Sequence, residues 1–412
     1  MAKTYVFNPD NDLALANGDA NYLPPRTARR MAMDLAFLPA WYADEGDTVL
    51  LPDSDALYYW EKTSVCNVPH AQVEWMTQKE TLPNQPLVPW GWNPALVKQM
   101  SLRGLADKHL PTQEQMRTLR HLSSRKTSVE VLEEIMRNIS DKYRLVGESA
   151  YCTTEEEIAR QVEAHPSTML KAPWSSSGKG LRRGQGHYIP PLSGWCVRTL
   201  QQQGAVVVEP LYRKVNDFAM EFYSTGNGDA LTFVGYSRFV TDANGAYEGN
   251  VLATDEEIER ELSTYVSREA LHAVCAELQA SLTSRIGACY RGYVGVDMMI
   301  CLTSTDKIEH AIDSHLPFEE QAYALHPCVE VNLRMNMGVV AHIFHERYVA
   351  SGCRGQFMVE YFPTPEALKE AHRQRTEESP LLLDSDGRIR QGYQPLTPIG
   401  RETQYLAWVL IS

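Results

Sequence analysis

Residues 168–180 read Thr-Met-Leu-Lys-Ala-Pro-Trp-Ser-Ser-Ser-Gly-Lys-Gly. A short apolar run ends at Lys171 and passes straight into a loop of serines and glycines. Such a loop leaves backbone N–H groups unshielded, and glycine tolerates the left-handed dihedrals needed to point them at an anion. Lys171 and Lys179 add positive charge, so the stretch suits phosphate. Taken alone it also fits a plain connection between two strands.

Three later segments supply, in order, the other parts of a magnesium-nucleotide site. Val-Val-Val-Glu-Pro-Leu-Tyr (206–212) is a buried strand ending in a carboxylate and a proline. Gly-Tyr-Val-Gly-Val-Asp-Met-Met-Ile (292–300) is an apolar strand interrupted by one acid, Asp297. Cys-Val-Glu-Val-Asn-Leu-Arg (328–334) alternates polar with apolar residues. Alternation puts Glu330, Asn332 and Arg334 on one face of a strand and Val329, Val331 and Leu333 on the other. A carboxylate, an amide oxygen and a guanidinium in a row suit a hard cation beside an anionic group.

With these motifs in this order, the chain resembles the ATP-grasp enzymes, and more narrowly their carboxylate–amine ligases, over roughly residues 110 to 345. The resemblance implies an α/β (α+β) protein with an ATP-grasp nucleotide region. It implies that Lys171 contacts the phosphates under a flap at 175–180, which includes Ser176, Ser177, Gly178 and Lys179. Glu209 and the backbone to Leu211 would form the adenine hinge, and Asp217 would hold the ribose. Asp297, Glu330 and Asn332 match the family's metal ligands, and Arg334 closes its Glu-x-Asn-x-Arg pattern. Many of these ligases carry an arginine two residues before the strand aspartate, where this chain has Gly295. The transferring phosphoryl group then needs its positive charge from elsewhere, with Arg334 and Arg238 as candidates.

The size and composition agree with an enzyme of small molecules. A chain of 412 residues holds two or three structural units, because single cores stop growing at about 250–300 residues. A formal charge of −13 argues against a general nucleic-acid or anionic-membrane surface. The eight cysteines contain no C-x-x-C pair and read as reduced core thiols, with neither a zinc spacing nor a disulfide framework. The N-terminus places Asn8, Asp10, Asn11 and Asp12 where a signal peptide needs apolar residues, so a cytoplasmic protein is expected.

Elsewhere, Thr4–Phe7 reads as a first strand running into Asn-Pro-Asp-Asn-Asp (8–12), either a set of turn-forming side chains or a polar wall for substrate. Arg26 opens a helix expected to reach Ala43, and Asp47–Pro52 reads as a second strand. Asn93 and Pro94 cap and open a helix. Residues 1–115 thus form an N-terminal α/β domain like the one that precedes the nucleotide region in this superfamily. Residues 116–350 form the catalytic region, and 351–412 an extension packing back on it. The tryptophans at 41, 60, 75, 90 and 92 read as core.

The helix after Ser123 has a basic first turn, unfavourable to the helix dipole unless an anion sits there, which makes Lys126 a candidate nucleotide contact. Strands are expected around 218–223 and 231–239, then a helix capped by Ser267. Thr303–His326 is a possible lid or insertion. His342 and His345 share a helix face but lack a third ligand, so core or surface roles outweigh a metal.

The expected activity is an ATP- and Mg2+- (or Mn2+-) dependent ligase that activates a carboxylate as an acyl phosphate for attack by an amine. The alternatives are a phosphotransferase on the same fold and a nucleotide-binding regulator. The partners expected are small-molecule substrates, and a homo-oligomer stays open.

Overall fold

The structure, a computed structural model, describes residues 2–52, 55–62, 64–77, 80–175, 180–241, 247–303 and 322–412. Ser176, Ser177, Gly178 and Lys179, and residues 304–321 of the Thr303–His326 segment, lie outside the described residues. The chain divides into two compact units, one of residues 1–116, 239–254 and 334–412, the other of 117–238 and 255–333. Both combine helices with sheets, the α+β class expected from the sequence.

The first unit opens with a four-stranded parallel sheet: β1 (Thr4–Val6), β2 (Thr48–Leu51), β3 (Glu74–Thr77) and β4 (Leu87–Pro89), in the order β3-β2-β1-β4. All four residues of β2 are buried, as an uninterrupted apolar run in a parallel sheet requires. The helix starting at Arg26 stops at Asp34, and a separate 3-10 turn covers Leu38–Trp41. Pro39 in that turn cannot donate an N–H to a continuing α-helix. Trp41 and Phe37 have no exposed surface; Phe37 stacks on Trp60 at 5.0 Å, and Trp75 tilts against Phe37 and meets Trp60 edge-on.

The same unit contains the antiparallel strands β11 (Tyr247–Leu252), β14 (Gly355–Tyr361), β15 (Leu382–Leu383), β16 (Ile389–Pro395) and β17 (Tyr405–Ile411). The C-terminal tail therefore shares a unit with the N-terminal segment, and hydrogen bonds joining residues before 45 to residues after 345 show why. The Trp41 indole N–H donates to the Leu396 carbonyl at 2.7 Å. Asp34 Oδ2 accepts the backbone N–H groups of Gln404 and Tyr405 at 2.9 and 3.0 Å. Arg347 donates to the Ala43 carbonyl at 2.8 Å.

The second unit holds two antiparallel sheets. The smaller contains β5 (Ala150–Cys152), β6 (Thr168–Lys171), β7 (Leu181–Gly184) and β8 (Val206–Pro210), in the order β5-β8-β6-β7. Ile158 and Val162 from one helix and Leu192, Trp195 and Cys196 from another close a core over Leu170, Val206 and Val208. The larger contains β9 (Arg213–Thr225), β10 (Thr232–Thr241), β12 (Arg291–Leu302) and β13 (Tyr323–Asn332), in the order β13-β12-β9-β10. The residues of β10 beyond Arg238 belong to the first unit, where they pair with β11. Helix Arg125–Ile139 reaches β13 through Ser128, whose Oγ accepts the Val331 N–H at 2.9 Å. Among the described residues no helix is long and apolar enough to cross a membrane.

Candidate functional site

Residues paired directly across antiparallel strands share a face, so the register of β13, β12 and β9 orders the side chains of the larger sheet into rows. One row is Glu330, Asp297, Ala219; the next is Asn332, Gly295, Glu221; the third is His326, Met299, Asp217. Two expected metal ligands, Asp297 and Glu330, therefore stand opposite one another, and the Asn332 amide donates to Asp297 Oδ2 at 3.2 Å. Gly295, where many of the resembled ligases carry an arginine, stands between Asn332 and the buried Glu221 in its row.

Among the described residues no three His, Cys, Asp or Glu side chains form a cluster able to hold a metal ion. Two carboxylates and an amide oxygen nevertheless fit Mg2+ or Mn2+, hard cations that keep several waters and take further oxygens from a bound phosphate. The donor set does not suit zinc. His342 and His345 are drawn elsewhere: the His342 Nε2 is 3.6 Å from Glu346, and the His345 ring meets the Cys353 carbonyl at 3.3 Å.

Lys171 ends β6 as expected and is buried. Its Nζ lies 2.6 Å from Glu209 Oε2, with both side chains under a tenth exposed. Met169 is the direct partner of Glu209, so Lys171 reaches it diagonally across two antiparallel strands. The Ser149 hydroxyl donates to the other Glu209 oxygen at 3.2 Å. Leu211 differs from expectation: its side chain is exposed and its amide donates to the Ser167 carbonyl at 2.9 Å, so that N–H is already used within the protein. Asp217 faces the site side of the sheet and accepts from Lys214, three residues before it.

The residue that sequence reasoning missed is Arg125. Ser124 caps the helix, and Arg125, its first residue, is 7% exposed. One terminal nitrogen, Nη2, lies 2.7 and 2.8 Å from the two Glu330 oxygens. The other, Nη1, donates to the Ala172 carbonyl at 2.7 Å and to Ser175 Oγ at 2.8 Å, at the entrance of the Ser/Gly loop. The expected contact, Lys126, is a surface residue instead; its Nζ is 3.9 Å from Glu130 and its side chain is 45% exposed. The signal was present in the basic first turn, but one residue along a helix turns a side chain by about 100 degrees, and the chain around it decides which one faces inward.

Two further expectations are corrected. β13 stops at Asn332, so Arg334 does not continue the row of Glu330 and Asn332. It lies in the bend that follows, in the first unit, where its Nε and Nη2 grip both Asp12 oxygens at 2.8–2.9 Å. Arg238 is the cross-strand partner of Phe218, whereas the site-side Ala219 pairs with Ser237. Arg238 therefore projects from the opposite face and pairs with Glu261 of helix Asp255–Leu262 at 2.5 Å. The loop after β1 also differs from a simple turn, since a helix begins at Asn11 and the Asn8 side chain donates to the Gly91 carbonyl at 2.8 Å.

Two buried groups sit among the site residues. The Cys328 thiol donates to the Ser128 carbonyl at 3.6 Å; burial pushes its pKa up, and the charges of Asp297, Glu209 and Glu330 push it further while Lys171 opposes them. His326 has no exposed surface, and its ring meets Tyr212 edge-on at 5.3 Å. Burial, and then the charge of Lys171, lower its pKa to about 3.

No protein-family model and no curated protein sequence matches the chain. Among solved structures it is similar to an N5-carboxyaminoimidazole synthetase from Staphylococcus aureus complexed with ADP, at 12% identity and a TM-score of 0.47, covering 100% of this chain and 93% of that one. It is also similar to the biotin carboxylase of Campylobacter jejuni, at 10% identity and a TM-score of 0.49, covering 100% and 88%. The biotin carboxylase domain of a 2-oxoglutarate carboxylase from Hydrogenobacter thermophilus, in complex with MgADP, ADP and bicarbonate, is similar at 10% identity and a TM-score of 0.49, covering 100% and 86%.

Proposed function

We propose that the protein is an ATP- and Mg2+-dependent ligase of the ATP-grasp kind, joining a small-molecule carboxylate to an amine through an acyl phosphate. The observation that carries this reading is convergence within one unit. Asp297 stands opposite Glu330 across two strands with Asn332 on Asp297, and Lys171 pairs with Glu209 in the neighbouring sheet. Arg125 then links Glu330 to the entrance of the Ser/Gly loop.

In the reaction, a carboxylate oxygen attacks the terminal phosphorus of ATP and the bond to the bridging oxygen of ADP breaks. The amine then attacks the acyl carbon and phosphate leaves. The protein needs no nucleophile of its own for this, only positioning and charge neutralisation. Lys171 and Arg125 supply fixed positive charge, and Arg125 takes the part that the sequence reading assigned to Arg334 and Arg238. Asp297, Glu330 and Asn332 would hold the cation, which supplies neutralisation of the phosphate oxygens. Met299 and His326 share the cross-strand row of Asp217, the expected ribose contact.

The test is ADP release over pairs of carboxylates and amines, with ATP binding followed by calorimetry. Glu330→Gln should bind ATP and demand far more Mg2+ for turnover. Heat of ATP binding that is absent from the parent protein, or turnover indifferent to EDTA, would overturn the reading.

A further inference from the structure

We propose that Arg125 is the resting counter-ion of Glu330, occupying the carboxylate that the divalent cation needs until nucleotide phosphate draws the guanidinium away. Cation and nucleotide then bind as a linked pair, with little cation bound on its own. This rests on the nucleotide reading above and adds a gate to the same site.

The geometry is that of a competitor. A divalent cation at the Asp297–Glu330 pair must take Glu330 oxygens, and Nη2 of Arg125 already lies 2.7 and 2.8 Å from both. The guanidinium is 8% exposed by its side chain against 28% for Glu330, so the pair is poorly screened by water and costly to separate without a replacement partner. Phosphate is such a partner, because a guanidinium fork binds its oxygens as it binds a carboxylate. Nη1 already stands on the Ala172 carbonyl and the Ser175 hydroxyl, just past Lys171 in the chain. Phosphate entering there finds Arg125 close by, and each guanidinium bond it takes weakens the hold on Glu330. The first turn of this helix carries two cations and no acid, and the carboxylate that Arg125 meets in the resting protein is Glu330, from a distant strand.

Linkage is reciprocal: whatever factor nucleotide adds to cation affinity, the cation adds to nucleotide affinity. The measurement is Mn2+ binding by electron paramagnetic resonance, with and without ADP, on the parent, Arg125→Met, Arg125→Lys and Glu330→Gln. The parent should bind Mn2+ weakly alone and at least about tenfold more tightly with ADP, a factor worth about 1.4 kcal/mol. Arg125→Met should bind Mn2+ alone at least about tenfold more tightly than the parent, and the further gain from ADP should shrink to match. Arg125→Lys, which keeps the charge and loses the fork, should fall between them. Glu330→Gln should bind Mn2+ far more weakly than the parent with ADP, in keeping with its raised demand for Mg2+.

A gain in metal affinity on removing a cation is not expected of a residue that merely braces the fold. If Arg125→Met fails to fold, the parent and Arg125→Lys decide the question. Mn2+ affinity in the parent that ignores ADP, or Arg125 variants no tighter for Mn2+ than the parent, overturns the proposal. ADP that gives no heat with the parent overturns the nucleotide reading instead, and the Mn2+ titrations made without nucleotide still decide whether Arg125 occupies the metal position.

Discussion

His326 sits on β13 with no exposed surface, and neither ring nitrogen has a hydrogen-bond partner among the described residues. Its pKa is lowered to about 3 by burial first and Lys171 second, against an unfolded value near 6.5. Above about pH 6.5 the ring is neutral in both states and adds no pH dependence. Between about 6.5 and 3 the unfolded chain takes up a proton that the folded chain refuses, so stability falls with acidification by up to about 1.4 kcal/mol per pH unit. His326→Phe should flatten that slope in urea unfolding at pH 7, 6 and 5, and equal slopes would refute it. Lys171 carries a second residue-scale consequence, since Lys171→Ala strands the buried Glu209 carboxylate and should cost about 3–5 kcal/mol. The pair Lys171→Met with Glu209→Gln removes both charges. It should regain most of that stability in urea melts while still losing ATP affinity in calorimetry.

At the scale of elements, local signals placed the starts of helices well. Asn93 Oδ1 accepts the Leu96 N–H at 2.9 Å ahead of helix Pro94–Leu102, and Ser267 caps Arg268–Ile286. These were legible because a cap is set by residues within one turn of each other. Strand ends were not, because a strand continues only while a neighbour supplies hydrogen bonds; β13 loses its partner after the Asn332–Gly295 pair, and Arg334 is left beyond it. The face of Arg238 was equally hidden, because it depends on the register between β9 and β10, which shifts at an irregularity between Phe233 and Gly235. Asp34 shows one helix end holding a distant strand, with two backbone N–H groups of the β17 approach on a single carboxylate oxygen. Asp34→Ala should lower unfolding stability by about 2 kcal/mol in urea, since part-buried donors lose their acceptor. No change would mean water replaces the carboxylate at no cost.

For the whole molecule, a site that binds nucleotide and cation only in the folded state makes ligand a stabiliser: saturation at a hundred times Kd adds about 2.7 kcal/mol. MgADP should therefore raise the Tm of the parent. In Asp297→Asn that increment should shrink toward the shift given by ADP in EDTA, and an undiminished MgADP shift would remove Asp297 from the metal site. The sequence by itself determined the α+β class, the order of Lys171, Glu209, Asp297, Glu330 and Asn332, and most strands and caps. Each of these rests on periodicity or on neighbours along the chain. Only the tertiary structure decided that Arg125 rather than Lys126 turns inward, that Arg334 pairs with Asp12, and that the tail shares a unit with residues 1–116. Those outcomes join residues hundreds of positions apart, such as Arg125 with Glu330 at a separation of 205 and Arg334 with Asp12 at 322. Burial decides which charges meet over such distances, because a cation taken out of water must find an anion wherever the packed elements bring one.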